Sequence, residues 1–339
     1  MYKIFHNKTI LITGGTGSFG QKFAYNLLRK SKVKKIKIYS RDEQKQFQMQ
    51  NKFNSQKLRY LIGDVRDKER LDFATKNTDF IIHAAALKHV EIAEYNPFEA
   101  VKTNIFGAQN VIDSAIKNNV KKVIALSTDK ASSPINLYGA TKLTSDKLFI
   151  SANNFKGSQK IMFSVVRYGN VMGSRGSVLP ILMSQKKNNI FTITDKKMTR
   201  FNITIEEGVD FVVFALNKML GGEIFVPKIK SYNIVDMVSA ISKNPKIKII
   251  GIRPGEKLHE EMISEADSVN SVELSKCYLI LPNSKYNKLT KKFYKKINKD
   301  CKFLKEGFVY NSLNNNFLSV SNIEKLIKEN NIDFEKLSD

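Results

Sequence analysis

The chain is predicted to fold as an α/β protein, a doubly wound parallel sheet with a smaller, interleaved C-terminal domain. Three observations predict this. Apolar runs of strand length alternate five times with helical patterns from residue 8 onward, which calls for parallel strands joined by crossover helices. A glycine-rich turn joins the first strand to the first helix. The alternation weakens after residue 170, and a later strand pattern, Glu223 to Val226, returns to the sheet.

The totals fit that reading. With 339 residues, 42% of them hydrophobic, the chain can bury a large core in one big domain or two interleaved ones. Lysine and arginine number 56 against 32 acidic residues, and the resulting charge of +24 invites an anionic partner. Nine lysines lie between Lys285 and Lys305 but the other cations are scattered, so phosphate-bearing small molecules are expected and nucleic acid is not. Cys277 and Cys301 are far apart, and they form no metal-type cluster with His6, His83, His89 and His259. No metal is expected, and the cysteines suit a reducing compartment. No apolar run approaches the roughly 20 residues of a membrane span. A soluble, cytoplasmic protein with no membrane partner is the expectation.

Lys8 to Thr13 reads as the first strand. It runs into Gly14-Gly15-Thr16-Gly17-Ser18-Phe19-Gly20 and then a helix with Phe19, Phe23, Leu27 and Leu28 on one side. Gly14, Gly17 and Gly20 give a G-x-x-G-x-x-G form of the Rossmann dinucleotide fingerprint, with Thr16, Ser18 and Phe19 between them. Its logic is a tight turn, close backbone approach to a pyrophosphate and an anion at the helix N-terminus. The second strand, Lys35 to Tyr39, ends in Ser40-Arg41-Asp42, about 20 residues on, where a ribose would be read. A hydroxyl and a guanidinium there, with Lys45 as a second cation, favour a 2′-phosphate and so NADP over NAD. The third strand, Leu58 to Ile62, leads to Asp64 and Val65, and Asp64 could accept from an adenine amine. The fourth, Phe80 to His83, leads to Ala84, Ala85 and Ala86, small enough to let a cofactor lie on the backbone, and then to Lys88, within reach of a phosphate. Glu99 to Asn118 is expected to be one long amphipathic helix carrying Asn104.

The fifth strand, Val123 to Leu126, delivers the densest chemistry in the chain, S-T-D-K-A-S-S-P-I-N-L-Y-G-A-T-K from Ser127 to Lys142. Thr128, Asp129 and Lys130 sit where that strand ends, the place where open α/β sheets bind ligands. If a helix starts after Pro134, Tyr138 and Lys142 share a face about 6 Å apart along its axis. An isolated tyrosine ionises near pH ~10, and a neighbouring ammonium would favour the phenolate and make a base of it. A sixth strand, Phe163 to Arg167, precedes Asn170 and a glycine-rich loop. Residues 170 to 203 read as loops and a polar run, Thr192 to Arg200, that start a lid or substrate region, and Thr204 to Glu207 as a capping box opening a helix through Leu220. A short helix after Tyr232, a strand from Ile247 to Ile252 and a Pro-Gly turn follow. Arg253 and Glu256 flank that turn, suited to a diphosphate and a ribose. The division expected is a cofactor domain over 1–169, re-entered around 204–230, with 170–203 and 231–339 as the substrate-binding region.

T-G-G-T-G-S-F-G, Asp64-Val65, Ala84 to Ala86, the strand end at Ser127 and Y-x-x-x-K together resemble the extended short-chain dehydrogenase/reductase family in order and spacing. Within it, S-T-D-K-A, N-L-Y-G-A-T-K, R-Y-G-N-V-M-G-S-R-G-S-V, M-T-R-F and R-P-G-E-K-L-H-E resemble the inverting UDP-N-acetylglucosamine 4,6-dehydratases of the pseudaminic acid pathway. The resemblance implies UDP-N-acetylglucosamine as substrate, NADP as cofactor and a homo-oligomer. It also implies roles. Tyr138, assisted by Lys142, takes the 4-hydroxyl proton as hydride leaves C4. Lys130 removes the C5 proton, Asp129 protonates the departing 6-hydroxyl and Thr128 orients the sugar. Asn104 joins the cofactor contacts, Asn170 and Arg253 the diphosphate, Glu256 the uridine ribose, and Lys88, Thr194 and Arg200 the substrate. The alternatives are a retaining 4,6-dehydratase, a 4-epimerase and a non-catalytic NADP-binding protein.

Overall fold

The computed structural model describes residues 1–174, 176–282 and 301–329. Arg175 and most of the lysine-rich stretch lie outside the described residues.

Seven strands alternate with helices to build the nucleotide-type sheet. In chain order these are β1 (Thr9–Thr13), α1 (Ser18–Lys30), β2 (Lys35–Ser40), α2 (Glu43–Phe53), β3 (Leu58–Ile62), α3 (Lys68–Thr75) and β4 (Phe80–His83). The short helices α4 (Val90–Tyr95) and α5 (Pro97–Val101) lead to α6 (Gly107–Lys117), then β5 (Lys122–Thr128), α7 (Leu137–Phe155) and β6 (Met162–Tyr168). The second part contains β7 (Asn170–Val171), α8 (Val178–Gln185), β8 (Ile190–Ile193) and β9 (Thr199–Ile203). It continues through α9 (Ile205–Lys218), β10 (Ile224–Pro227), β11 (Ser231–Asn233), α10 (Ile234–Ile241) and β12 (Lys246–Ile249). Last come β13 (Glu261–Ile263), β14 (Ser271–Glu273), β15 (Cys277–Ile280), β16 (Lys302–Phe303), β17 (Tyr310–Asn311) and a helix over Val320–Glu329.

Among the described residues the main sheet has ten strands in the order β16-β14-β15-β10-β6-β5-β4-β1-β2-β3. The run from β10 to β3 is parallel throughout. Strands β1 and β4 are buried at every position because helices cover both faces, which is why they read as continuous apolar runs. Phe23 and Leu27 of α1 pack with Val209, Val212 and Leu216 of α9 on one face. Leu71, Val111, Ile112 and Phe149 pack on the other. The chain order reverses between β1 and β4, the switch point at which such sheets open a ligand crevice. Strands β14 to β16 extend the sheet in antiparallel fashion, although they fall within the 231–339 span assigned to the substrate region.

Two local expectations are corrected. The helix expected over Glu99 to Asn118 begins at Pro97 and contains a π turn, Lys102–Phe106, in which Gly107 N–H donates to the Lys102 carbonyl. Apolar periodicity continues through such a turn, so the sequence pattern does not register it. Residues 170 to 203 are not mainly loop. They hold α8 and three short strands whose partners are distant: β7 and β11 flank β9, and β8 pairs with β12. Their side chains Leu179, Phe191 and Met198 bury against Met237 and Val238 of α10, making a second core beside the crevice.

Candidate active site

The N-terminal crevice is shaped by backbone. Gly14 has φ +64°, and a Cβ there would lie 2.8 Å from Ala85 N, so the turn after β1 and the alanine run after β4 lie directly against each other. Gly17 N-caps α1, with Ser18 and Phe19 in its first turn and Thr16 buried beneath it. The buried Asn104, set by the π turn, grips the other wall: its Oδ1 accepts from Leu87 N–H at 2.9 Å and its Nδ2 donates to the Leu87 carbonyl and to Thr141 Oγ1, each at 3.0 Å. At the end of β2, Ser40, Arg41 and Lys45 each engage a different partner. Ser40 Oγ accepts from Gln46, Arg41 lies 3.6 Å from Asp64, and Lys45 pairs with Asp42, which caps α2. Asp64 is held by Arg66. Burial works against its charge, but the Arg66 bonds keep it below the ordinary carboxylate range. Val65 is buried beneath it.

A cavity of about 580 Å³ opens beyond the ends of β5 and β6. Thr128, Asp129, Lys130, Tyr138, Lys88, Asn170, Thr194, Arg200, Arg253 and Glu256 all line it, so ten sequence-predicted residues meet at one place. The glycine loop and Lys142 are not among its lining residues. Asn136 positions α7: its Oδ1 caps the helix by accepting from Gly139 N–H at 2.7 Å, and its Nδ2 donates to Gly255 O at 2.7 Å. Position 139 has no room for a side chain, since a Cβ would sit 2.2 Å from the Lys130 carbonyl. This places Tyr138 beside the Thr128 to Lys130 turn.

The electrostatics of that turn are set by burial. Asp129 is 1% exposed, and desolvation pushes its carboxyl up despite Lys130. Its Oδ1 accepts from Thr128 Oγ1 at 2.9 Å and from Lys130 Nζ at 3.2 Å, while Oδ2 has no partner. Desolvation opposes the Lys130 ammonium, yet Asp129 and Glu260 together hold it above the ordinary lysine value. Burial likewise pushes the Tyr138 phenol up to about 12, against the lowering influence of Lys130 and of a hydrogen bond with Thr128.

The expected acidification of Tyr138 by Lys142 is therefore corrected. Lys142 is itself buried and depressed by desolvation, with Asp146 opposing. Among the influences that lower the phenol, Lys130 ranks first. Arg200 is also more constrained than a free substrate contact, because its guanidinium donates to Thr199 O, Leu258 O and Glu256 Oε1. Arg253 pairs with Glu91 at the exposed rim.

Sequence reasoning missed Glu260 and the pair behind Lys142. Glu260 stands at the end of R-P-G-E-K-L-H-E, and its Oε1 accepts from Lys130 at 2.7 Å. Asp146, one helical turn beyond Lys142, accepts from Ser127 at 2.7 Å and from the buried Arg167 at 3.3 Å. The signal for Asp146 was its spacing from Lys142, and for Glu260 its place in the motif.

Comparison with known proteins identifies the chain's family. Residues 10–282 match the family model described as polysaccharide biosynthesis protein. The chain belongs to that family. A polysaccharide biosynthesis family relative from Campylobacter jejuni, named UDP-N-acetylglucosamine 4,6-dehydratase (inverting), is 55% identical over 316 residues, 92% of this chain and 94% of the relative. A relative from Rickettsia bellii named UDP-glucose 4-epimerase is 44% identical, covering 82% of this chain and 84% of its own. The solved structure of Pen from Bacillus thuringiensis superposes with a TM-score of 0.87 at 40% identity, over 96% of this chain and 98% of that one.

Proposed function

We infer that this chain catalyses the 4,6-dehydration of UDP-N-acetylglucosamine with inversion at C5. The observation that carries the reading is the Asp129 and Lys130 pair beside Tyr138 in one cavity. A 4-epimerase needs a base at O4 but no acid for O6 and no base for C5, so this pair has no task in that reaction. The relative from Campylobacter jejuni supports the dehydratase reading, and the Rickettsia bellii relative keeps the epimerase as the alternative to test.

The crevice fits a nicotinamide dinucleotide. The Gly14 turn leaves no space for a Cβ, the Gly17 cap points helix N–H groups outward, and Asn104 fixes the wall at Leu87. Gly14 to Gly20, Asp64, Val65, Ala84 to Ala86 and Asn104 would hold it, and Ser40, Arg41 and Lys45 favour the 2′-phosphate form. When bound, such a cofactor takes hydride from C4 and supplies it to C6.

The chain's own residues handle protons and position. Tyr138 removes the 4-hydroxyl proton, and Lys142 and Lys130 provide positive charge around it. The ketone formed at C4 acidifies C5. Lys130 takes the C5 proton, and Asp129, its carboxyl raised by burial, gives a proton to the departing O6. Thr128 orients the sugar through its hydroxyl. Asn170 Oδ1 and Glu256 Oε2, buried and without protein partners, offer acceptors to the nucleotide end.

The deciding experiment is incubation with UDP-N-acetylglucosamine in deuterated water, read by NMR. The dehydratase reading expects deuterium at C5, a C6 methyl group and the inverted sugar. A retained C6 hydroxyl with exchange of configuration at C4 would establish the epimerase instead. For the cofactor form, Arg41→Ala is expected to lower affinity for NADP and leave NAD unchanged, measured by fluorescence titration. An unaltered preference would remove Arg41 from the site.

A further inference from the structure

Building on the acid and base roles above, we propose that Glu260 is a positioning residue for dehydration: it holds the Lys130 amine against Asp129 and keeps one proton on the Asp129 and Lys130 pair.

Lys130 Nζ lies 2.7 Å from Glu260 Oε1 and 3.2 Å from Asp129 Oδ1. Both carboxylates are 1% exposed, both line the cavity, and each keeps a second oxygen without a protein partner. The bracket joins two segments 130 residues apart in sequence. Asp129 and Lys130 belong to the turn after β5, whereas Glu260 immediately precedes β13. That segment is fixed independently. Glu260 N–H donates to Ser312 Oγ at 2.9 Å, and Ser312 N–H donates back to the Glu260 carbonyl at 2.8 Å. Further ties run beside it: Lys257 Nζ donates to Ser132 O at 2.8 Å, and Glu261 Oε1 accepts from Ser132 Oγ and Ser133 Oγ. Lys130 is thus fastened to a rigid support through Glu260.

The proton count gives this support a task. Water elimination moves a proton from C5 to the enzyme and another from the enzyme to the departing O6. Lys130 can take the first only as an amine, and Asp129 can give the second only as a carboxylic acid. One proton passed from the Lys130 ammonium to Asp129 creates both forms without a change in net charge. When C5 is deprotonated and O6 leaves as water, Lys130 is an ammonium and Asp129 a carboxylate again, which is the starting pair. The pair must therefore keep its one proton. If Lys130 loses it to solvent, Asp129 stays ionised and has nothing to give O6.

Glu260 prevents that loss. It takes no proton in the cycle and remains an anion facing Nζ. The charged and titratable groups around Lys130 are Asp129, Glu260, Arg200, Tyr138 and Tyr232, and those around Glu260 are Lys130, Arg200, Lys257, Asp129 and Tyr232. Arg200, 3.8 Å from Glu260, pulls against the ammonium, so without Glu260 a single carboxylate would have to offset it.

The test compares the parent enzyme with Glu260→Gln and Glu260→Asp. Three quantities are followed: C5 deuterium exchange across neutral and alkaline pH, the ultraviolet absorbance of reduced nicotinamide in a single turnover, and the melting temperature. Glu260→Gln is expected to lower exchange roughly 100-fold at neutral pH and to move the alkaline limb of the profile down by about one pH unit or more. It should still oxidise C4, with the reduced nicotinamide signal persisting longer than in the parent. Glu260→Asp should recover a large part of the exchange and return the alkaline limb toward the parent's. Parental exchange with an unmoved alkaline limb in Glu260→Gln would overturn the proposal, as would loss of the nicotinamide signal in step with exchange at an unchanged melting temperature. A parent enzyme that never oxidises this sugar would instead overturn the dehydratase reading on which the proposal rests.

Discussion

Replacing Arg167 with methionine tests whether the support behind the catalytic helix is a buried ion pair. Arg167 is 2% exposed and Asp146 is 1% exposed. The guanidinium donates to Asp146 Oδ2 at 3.3 Å, to Met262 O at 3.0 Å and to Asp267 Oδ2 at 3.3 Å, so one side chain ties β6 to α7 and to the segment after β13. Methionine fills most of the same volume, which confines the effect to lost charge and hydrogen bonds. Removing one partner of a buried pair costs about 3–5 kcal/mol, because the other charge is left without compensation. Lys142 and Ser127 remain beside Asp146, which puts the expected loss at the lower end, about 3 kcal/mol. Unfolding entropy near 2.1 cal/mol/K per residue gives about 0.7 kcal/mol/K for 339 residues, so the melting temperature should fall by about 4 °C. Circular dichroism during thermal unfolding measures this. A fall below about 1 °C would mean that Asp146 is not an ionised partner of Arg167, and the account of how Lys142 is held would fail with it.

Two further outcomes follow from the charges. Burial opposes ionisation of Glu206, but Lys22, Lys30 and Asn26 hold its carboxyl down to about 2, so its stabilising effect is fully present above the ordinary glutamate value and disappears as pH falls through about 2. Because the cluster is partly exposed, Glu206→Gln should cost only about 0.5–1 kcal/mol at neutral pH, and urea unfolding should show that gap closing in acid; a gap that persists at low pH would refute the assignment. Lys130→Met is expected to abolish C5 exchange and also to slow C4 oxidation, because Lys130 lowers the pKa of the Tyr138 phenol, whereas oxidation at the parental rate would show that Lys142 alone supports Tyr138.

Most of the sheet was legible because strands buried on both faces appear as unbroken apolar runs. Phe80 to His83, buried throughout, has the expected bounds, the partly exposed edge strand Leu58 to Ile62 has them too, and the Thr204 and Glu207 capping box forms as written. The site was legible in its residues but not in its couplings. Y-x-x-x-K specifies a shared helix face, yet it carries no measure of burial, and burial decides the Tyr138 proton. The Lys130 contact with Glu260 spans 130 residues, beyond the reach of any local pattern. The same limit hid the second core, since β8 and β9 are short strands whose partners lie far along the chain.

The unmatched polar atoms explain why so much charge is buried here. Asp129 Oδ2, Asn170 Oδ1, Ser177 Oγ, Glu256 Oε2 and Glu260 Oε2 are all buried without partners among the described residues, and all five residues line one cavity. Each such group costs about 1–3 kcal/mol when nothing answers it, so their convergence marks a surface shaped for a polar ligand rather than for stability. Desolvation shifts two groups of the proposed chemistry in the same direction, with opposite consequences. It raises Asp129, which suits a proton donor, and raises Tyr138, which hinders a base. A cation must sit within reach of both, and Lys130 does so. On the proposed roles, Lys130 as an ammonium favours the phenolate at O4, and passing its proton to Asp129 would withdraw that support and create the C5 base. The order of oxidation before elimination would then be tied to the position of one proton, which the role proposed for Glu260 retains on the pair.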